Sequence, residues 1–264
     1  MAKASQVSKQ PKSPQKLTTV PGKLPYKPKT AGQVEYLKAM RRADVIFCLG
    51  VAGSGKSVLA AQQGYHALTQ ERYERLIISR PIVGVGRTSG YLPGSIDQKL
   101  TPFLDHLYDE LIKCAGEAKT LAQMKENRQL KVVPFEYMRG NTFDNAWVIV
   151  DEAQNCTTDE LFLLLTRFGE NSKMIIIGDP YQSDLPIREQ GALELFASEM
   201  GSEDGCATVY LNESDIVRHP IVKRVIQKMQ PIIMERKHAT VHHNGVSGHV
   251  ESNGRYRGNG SSGY

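Results

Sequence analysis

Six short apolar runs punctuate the middle of the chain, at residues 45–49, 76–79, 131–135, 147–150, 174–177 and 207–211. Each predicts a strand. Amphipathic segments at 31–42, 57–70, 96–114, 158–168, 191–200 and 220–230 stand between and around them and predict helices. Strands that alternate with helices are the signature of a parallel sheet wrapped by helices, so an α/β fold is expected. Asp159 and Glu160 fall in the first turn of the fourth helix, where the helix dipole favours acids. The stretch 96–130 reads as a helical insertion between strands, and a Gly-rich loop over 80–94 leads into it. Loops this long inside a compact domain are usually functional. With Arg80, Arg87 and Tyr91 at the sheet edge, this one suits contact with a nucleic-acid strand or a neighbouring subunit. No internal repeat is visible.

Composition places the 264 residues among soluble globular chains, with enough material for one large domain or two small ones. No run approaches the roughly 20 apolar residues of a membrane span, and the Lys-rich N-terminus lacks the apolar core of a secretory signal. A cytoplasmic location without membrane contact is therefore expected. Cys48, Cys114, Cys156 and Cys206 are scattered without CxxC pairing, which indicates neither a zinc site nor a disulfide framework. The net charge of +5 is uneven, because residues 1–30 carry seven lysines and no acid. With its Pro and Ser content this stretch predicts a disordered basic tail able to attract phosphate backbones or merely to solubilise. The other end, from His242 onward, is rich in Gly, Ser, Asn and His and is also expected to be unfolded. Its Arg255-Tyr256-Arg257-Gly258 combines stacking and charge as single-strand binders do, though a plain flexible tail would look the same. The histidines there have no defined ligand spacing.

Candidate chemistry starts where the first strand ends. Gly50-Val51-Ala52-Gly53-Ser54-Gly55-Lys56-Ser57 spells a complete phosphate-binding P-loop, preceded by the apolar run 45–49 and followed by a helix. Glycines let the loop curl so that successive backbone N–H groups face the phosphates, and the helix offers its positive N-terminus. Lys56 would reach the β- and γ-phosphates while the Ser57 hydroxyl takes a place on Mg²⁺. The fourth apolar run ends in Asp151-Glu152-Ala153-Gln154, the form of a Walker B segment. Asp151 then serves the metal and Glu152 addresses a water beside the γ-phosphate, which implies hydrolysis as well as binding. An acidic pair capping the next helix is the bland alternative, and it would leave the P-loop without a metal partner. A third run leads to Gly178-Asp179-Pro180-Tyr181-Gln182, where Gln182 could sense the γ-phosphate and Asp179-Pro180 could equally initiate a turn. All three segments deliver polar groups beyond the carboxyl ends of strands, where ligands of open α/β sheets sit.

Together these residues carry a family likeness. The chain resembles PhoH-like proteins, P-loop ATPases related to the core of superfamily 1 helicases, over residues from about 27 to 230. Beyond the P-loop the likeness rests on Arg80-Pro81 with Gly90-Tyr91-Leu92-Pro93-Gly94, Met138-Arg139-Gly140 and Asp151-Glu152-Ala153-Gln154-Asn155. It continues through Leu165-Thr166-Arg167-Phe168-Gly169, the segment from Gly178 to Pro186, and Asp215-Ile216-Val217-Arg218-His219. The family usually has an acid where Arg87 stands. The resemblance implies a RecA-like P-loop NTPase fold over 27–237 between disordered tails at 1–26 and 238–264, with ATP and Mg²⁺ as ligands. Longer members carry an added nuclease domain of the PIN type, and the likeness is to the short single-domain form of bacteria and bacteriophages, so a phage source acting in the host cytoplasm is an expectation. Gln33 falls where related helicases place a glutamine that reads adenine, and its amide can donate to N7 and accept from the exocyclic amine. A helicase completes its site with arginines of a second core domain. One core here implies a ring, a homo-hexamer, completed by Arg218, with Arg139 and Arg167 as further candidates. The activity implied is an ATPase that moves along, unwinds or remodels RNA or single-stranded DNA. A nucleotide-controlled binding switch with slow hydrolysis is the alternative, and no acceptor signature supports a small-molecule kinase.

Overall fold

A computed structural model of the chain describes residues 26–81, 96–138, 140 and 142–246. The segment with Arg87 and Tyr91, Arg139 and most of both tails lie outside these residues. Among the described residues six strands form one sheet: β1 (Val45–Gly50), β2 (Arg75–Arg80), β3 (Leu130–Pro134), β4 (Ala146–Val150), β5 (Lys173–Gly178) and β6 (Cys206–Leu211). Their order is β3-β2-β4-β5-β1-β6, with every neighbouring pair parallel. The expected parallel α/β architecture is present.

Continuous apolar strands follow from cover on both faces. Ile46, Cys48, Leu76, Ile78, Trp147, Ile149, Ile175 and Ile177 point to one core. That core is closed by α1 (Ala31–Arg42), α2 (Lys56–Thr69), α3 (Ile96–Ala115) and α4 (Ala118–Glu126), with Tyr36, Leu59, Leu107, Leu111 and Met124 among their buried contributions. The alternate positions Phe47, Leu49, Ile77, Val148, Val150, Met174 and Ile176 face a second core under α5 (Thr158–Leu165) and α6 (Ala192–Met200). A one-residue slip in any strand would exchange the two apolar sets, so the register rests on how the side chains fit each core and not on the hydrophobic pattern alone.

Local signals set the helix ends. Thr157 caps α5 by accepting from the Glu160 amide while the Glu160 carboxylate accepts from the Thr157 amide, a closed capping box that uses one of the two expected first-turn acids. The helix stops at Leu165 and not at 168, because the Arg167 carbonyl accepts from the Phe143 amide and draws the chain into a bridge beside it. The inserted helical span is broken between α3 and α4 at Gly116, whose φ of +84° suits glycine. One expectation is corrected: α7 (Pro220–Val246) runs through Pro231 and on into 238–246, part of the stretch read as an unfolded tail. Pro231 forfeits one backbone bond, but Met234-Glu235-Arg236-Lys237 and Ala239 beyond it are good helix formers. The described residues up to Val217 make one compact unit and a second begins at Arg218. In the second unit Ile221, Val225, Met229 and Ile232 recur at helical spacing.

Candidate active site

At the carboxyl edge β1 runs into Gly50, where any side chain would strike the backbone of Leu211. The loop then turns through Gly53 and Gly55 at φ of +82° and +86°, conformations that cost an L side chain about 1–2 kcal/mol. α2 begins immediately at Lys56, so the unpaired amides of its first turn open onto this loop. The Lys56 side chain is buried, and its ammonium donates to Gly50 O at 2.6 Å and Val51 O at 2.9 Å. Ser54 Oγ donates to Val51 O at 2.8 Å, which tightens the same curl.

The first and fourth strands meet here. Ser57 Oγ donates to Asp151 Oδ1 at 2.7 Å, and the Asp151 amide extends the ladder to Ser79 O at 2.9 Å. Asp151 is buried, and its other oxygen lies 3.7 Å from His106 Nε2 on α3. Burial alone would raise this carboxyl, but His106, Ser57 and the charge of Arg80 more than offset it and hold Asp151 below the usual carboxylate range. Glu152 follows in the left-handed region at φ +56°, an uncommon place for a non-glycine residue. Its Oε2 accepts from Gln154 Nε2 at 2.6 Å and its Oε1 lies 3.5 Å from Arg80 Nη2 at the end of β2.

The segment after β5 closes the group. Asp179 Oδ1 accepts from the Tyr181 amide, so the turn-initiator reading of this residue holds. Its Oδ2 accepts from the P-loop amide of Ala52 at 3.1 Å and from Gln182 Nε2 at 2.7 Å, a role in the site that the turn reading did not contain. Burial pushes the Asp179 carboxyl up, against the partly compensating charge of Lys56. Gln154 bridges the two segments, since its Oε1 accepts from the Asp179 amide. Gly178 leaves the room, because a Cβ there would meet Gln154 Oε1 at 2.7 Å.

On the other flank Gln33 is buried, donates to Ser54 O at 2.9 Å and accepts from the Lys29 amide at 2.8 Å. An adenine edge would use its remaining amide hydrogen and lone pair. Beyond β6, the Val217 amide donates to Gly53 O at 3.0 Å, and Asp215 packs so closely on Gly32 of α1 that a Cβ there would meet its carboxylate at 2.6 Å. Thus the structure gathers Gly50 to Ser57, Asp151, Glu152, Gln182 and Gln33 around one loop. Arg218 is exposed and opens the second unit. Arg167 follows α5 on the approach to β5, so it lies at the amino edge of the sheet, away from its own P-loop. Three site residues had no role in the sequence reading: His106, Gln154 and, in this capacity, Arg80. Gln154 stood inside a recognised motif, whereas nothing in the local pattern of α3 marks His106.

Among the described residues no group of three His, Cys, Asp or Glu side chains could hold a metal. The oxygen pair of Ser57 and Asp151 instead suits a hard cation that keeps waters and substrate phosphates as its other ligands, the habit of Mg²⁺.

A parallel sheet with a P-loop after its first strand and paired carboxylates after another defines the P-loop NTPase fold, a nucleotide-binding class. The chain belongs to the PhoH-like family: residues 25–230 match the family described as "PhoH-like protein". A PhoH-like protein of Synechocystis is 44% identical over 199 residues, covering 75% of this chain and 60% of that protein. One of Bacillus subtilis is 41% identical over 199 residues, covering 75% and 62%. Protein PhoH of Escherichia coli is 35% identical over 195 residues, covering 74% and 55%. The chain therefore spans about three-fifths of the length of these relatives. Among solved structures, the large terminase of a thermophilic bacteriophage superposes with a TM-score of 0.47 at 13% identity, over 77% of this chain and 50% of that one.

Proposed function

We propose that this protein hydrolyses ATP with Mg²⁺, in a ring of identical copies that acts on RNA or single-stranded DNA. The observation that carries the hydrolytic reading is the 2.7 Å contact between Ser57 and Asp151, which joins the P-loop and Walker B strands at one point beside Glu152. Ser57 and Asp151 are the residues that would hold Mg²⁺, whose charge neutralises phosphate oxygens when bound. Lys56 supplies the fixed positive charge for the β- and γ-phosphates, releasing the loop carbonyls it now holds. Glu152 takes the proton of the attacking water, because it is the partly exposed carboxylate next to the buried metal ligand. Gln182 reads the γ-phosphate and is tied to the P-loop through Asp179.

Support for a nucleic-acid partner is the seven lysines of residues 1–30 and the Arg255-Tyr256-Arg257 cluster at the other end. Support for a ring is that P-loop enzymes often complete their site with an arginine from a neighbouring copy, for which Arg218, exposed and directly after the P-loop-bound Val217, is the candidate. ATP turnover measured with and without single-stranded RNA and DNA, at stated salt, tests the reading. Turnover should rise with one of the two polymers and vanish in Lys56→Ala. A rate indifferent to both polymers would favour a protein-binding switch, and full turnover in Lys56→Ala would end the P-loop assignment.

A further inference from the structure

The two Walker B carboxylates have different surroundings. Asp151 is buried against Ser57, whereas Glu152 is about one-third exposed on a side chain with three rotatable bonds. A base left to sample those rotamers would spend little time aimed at a water, since full freedom of such a side chain amounts to about 1.5–2 kcal/mol of entropy. Two donors restrict it. Gln154 Nε2 holds Oε2 from within the same turn, and Arg80 Nη2 approaches Oε1 from the neighbouring strand. The alignment of Arg80 is built into the sheet. Ser79 pairs with Val150 and the Asp151 amide extends that ladder to Ser79 O, which sets Arg80 at the level of Asp151, one residue before Glu152.

Stability does not require this ion pair. At 3.5 Å, with the two side chains 25% and 34% exposed, such a contact is worth about 0–1 kcal/mol in folding. Its effect on orientation is separate from that, because a permanently charged guanidinium on one side draws one oxygen of Glu152 toward β2 while Gln154 holds the other. From these observations we infer that Arg80 is a positioning residue for hydrolysis: it acts in the same chain, through Glu152, by holding the base in line with the attacking water. This rests on the reading of Glu152 as the base. It also gives β2 a part in the reaction, where the sequence marked Arg80 only for a polymer or subunit contact.

The test is a double-mutant cycle of Arg80→Ala and Glu152→Gln, in the full chain with Mg²⁺, together with binding of a fluorescent ATP analogue. Arg80→Ala should lower kcat by about 10²-fold, the scale of a misplaced catalytic group, and leave the analogue Kd and the ATP KM within about twofold. Arg80→Lys, which keeps charge but not the fork, should regain roughly a tenth of the wild-type rate. In the Glu152→Gln background Arg80→Ala should cost little further, because the carboxylate that Arg80 positions is gone. An unchanged kcat, a Kd that weakens in step with kcat, or a full additional loss in the Glu152→Gln background would each overturn the inference. If Arg80→Ala fails to fold, Arg80→Gln preserves length and completes the same cycle. Normal turnover in Glu152→Gln alone would refute the base assignment itself, a result that the single mutant reads without reference to Arg80.

Discussion

Gly64 on α2 illustrates how one position is decided by a neighbour far away in sequence. Glycine in a helix interior is unfavourable by about 1 kcal/mol relative to alanine, so propensity alone recommends Gly64→Ala. A Cβ there would meet Trp147 Cδ1 at 2.7 Å, Trp147 Nε1 at 2.8 Å and Leu76 Cδ1 at 2.9 Å. Overpacking of this kind costs about 1–3 kcal/mol, and Trp147 is a buried ring with Tyr73 packed edge-on against it at 5.6 Å. Gly64→Ala should therefore lower stability despite its better propensity, read as a lower denaturation midpoint with an unchanged slope. A higher midpoint would show that the Trp147 ring gives way. The same distinction separates what was legible at the active site from what was not. Lys56, Ser57 and Asp151 are consecutive with their strands and could be read from spelling. Arg80, His106 and Gln154 acquire their parts only through contacts between elements, which no local pattern encodes.

The six strands were legible because they are continuous apolar runs, and the sheet makes them so by burying both faces of each. Helix ends were less legible, since they depend on contacts made after folding. α5 ends early where Phe143 takes the Arg167 carbonyl, and α7 passes through Pro231, which local rules would have used as a stop. The insertion between β2 and β3 is the element whose docking can be weighed directly. α3 buries Leu107 and Leu111 in the core above α2, and Leu111 is fully inaccessible. Leu111→Ala should destabilise the fold by about 2–5 kcal/mol through lost transfer energy and the cavity left behind. Chemical denaturation measures it. A loss below 1 kcal/mol would mean that α3 is loosely attached, and it would remove His106 from the surroundings of Asp151.

At the scale of the whole molecule, the question is whether one chain suffices for hydrolysis. Charge grows on the γ-phosphate oxygens as the bond to the leaving group breaks, and P-loop enzymes meet it with an arginine supplied in cis or in trans. In this chain Arg167 lies at the amino edge of the sheet, and Arg80 is engaged with Glu152. Arg218 is exposed and directly follows Val217, whose amide is bound to the P-loop at Gly53. We expect this arginine to serve the site of an adjacent copy. A head-to-tail contact that repeats closes into a ring when its rotation permits, so the expectation has a mass as well as a rate attached to it. Mixing Arg218→Ala with Lys56→Ala chains tests the rate. Each variant alone should be slowed by about 10³-fold, the worth of an arginine finger or more, because every interface then lacks one essential group. Mixed assemblies contain some interfaces where an intact Lys56 faces an intact Arg218, and these should recover a measurable fraction of wild-type turnover. Two controls make the outcome decisive: mass in solution with ATP, and a tag on one variant to demonstrate co-assembly. A monomer that turns over ATP at full rate, or co-assembled mixtures with no recovery, would return the arginine to the same chain and leave Arg80, beside Glu152, as the candidate to supply it.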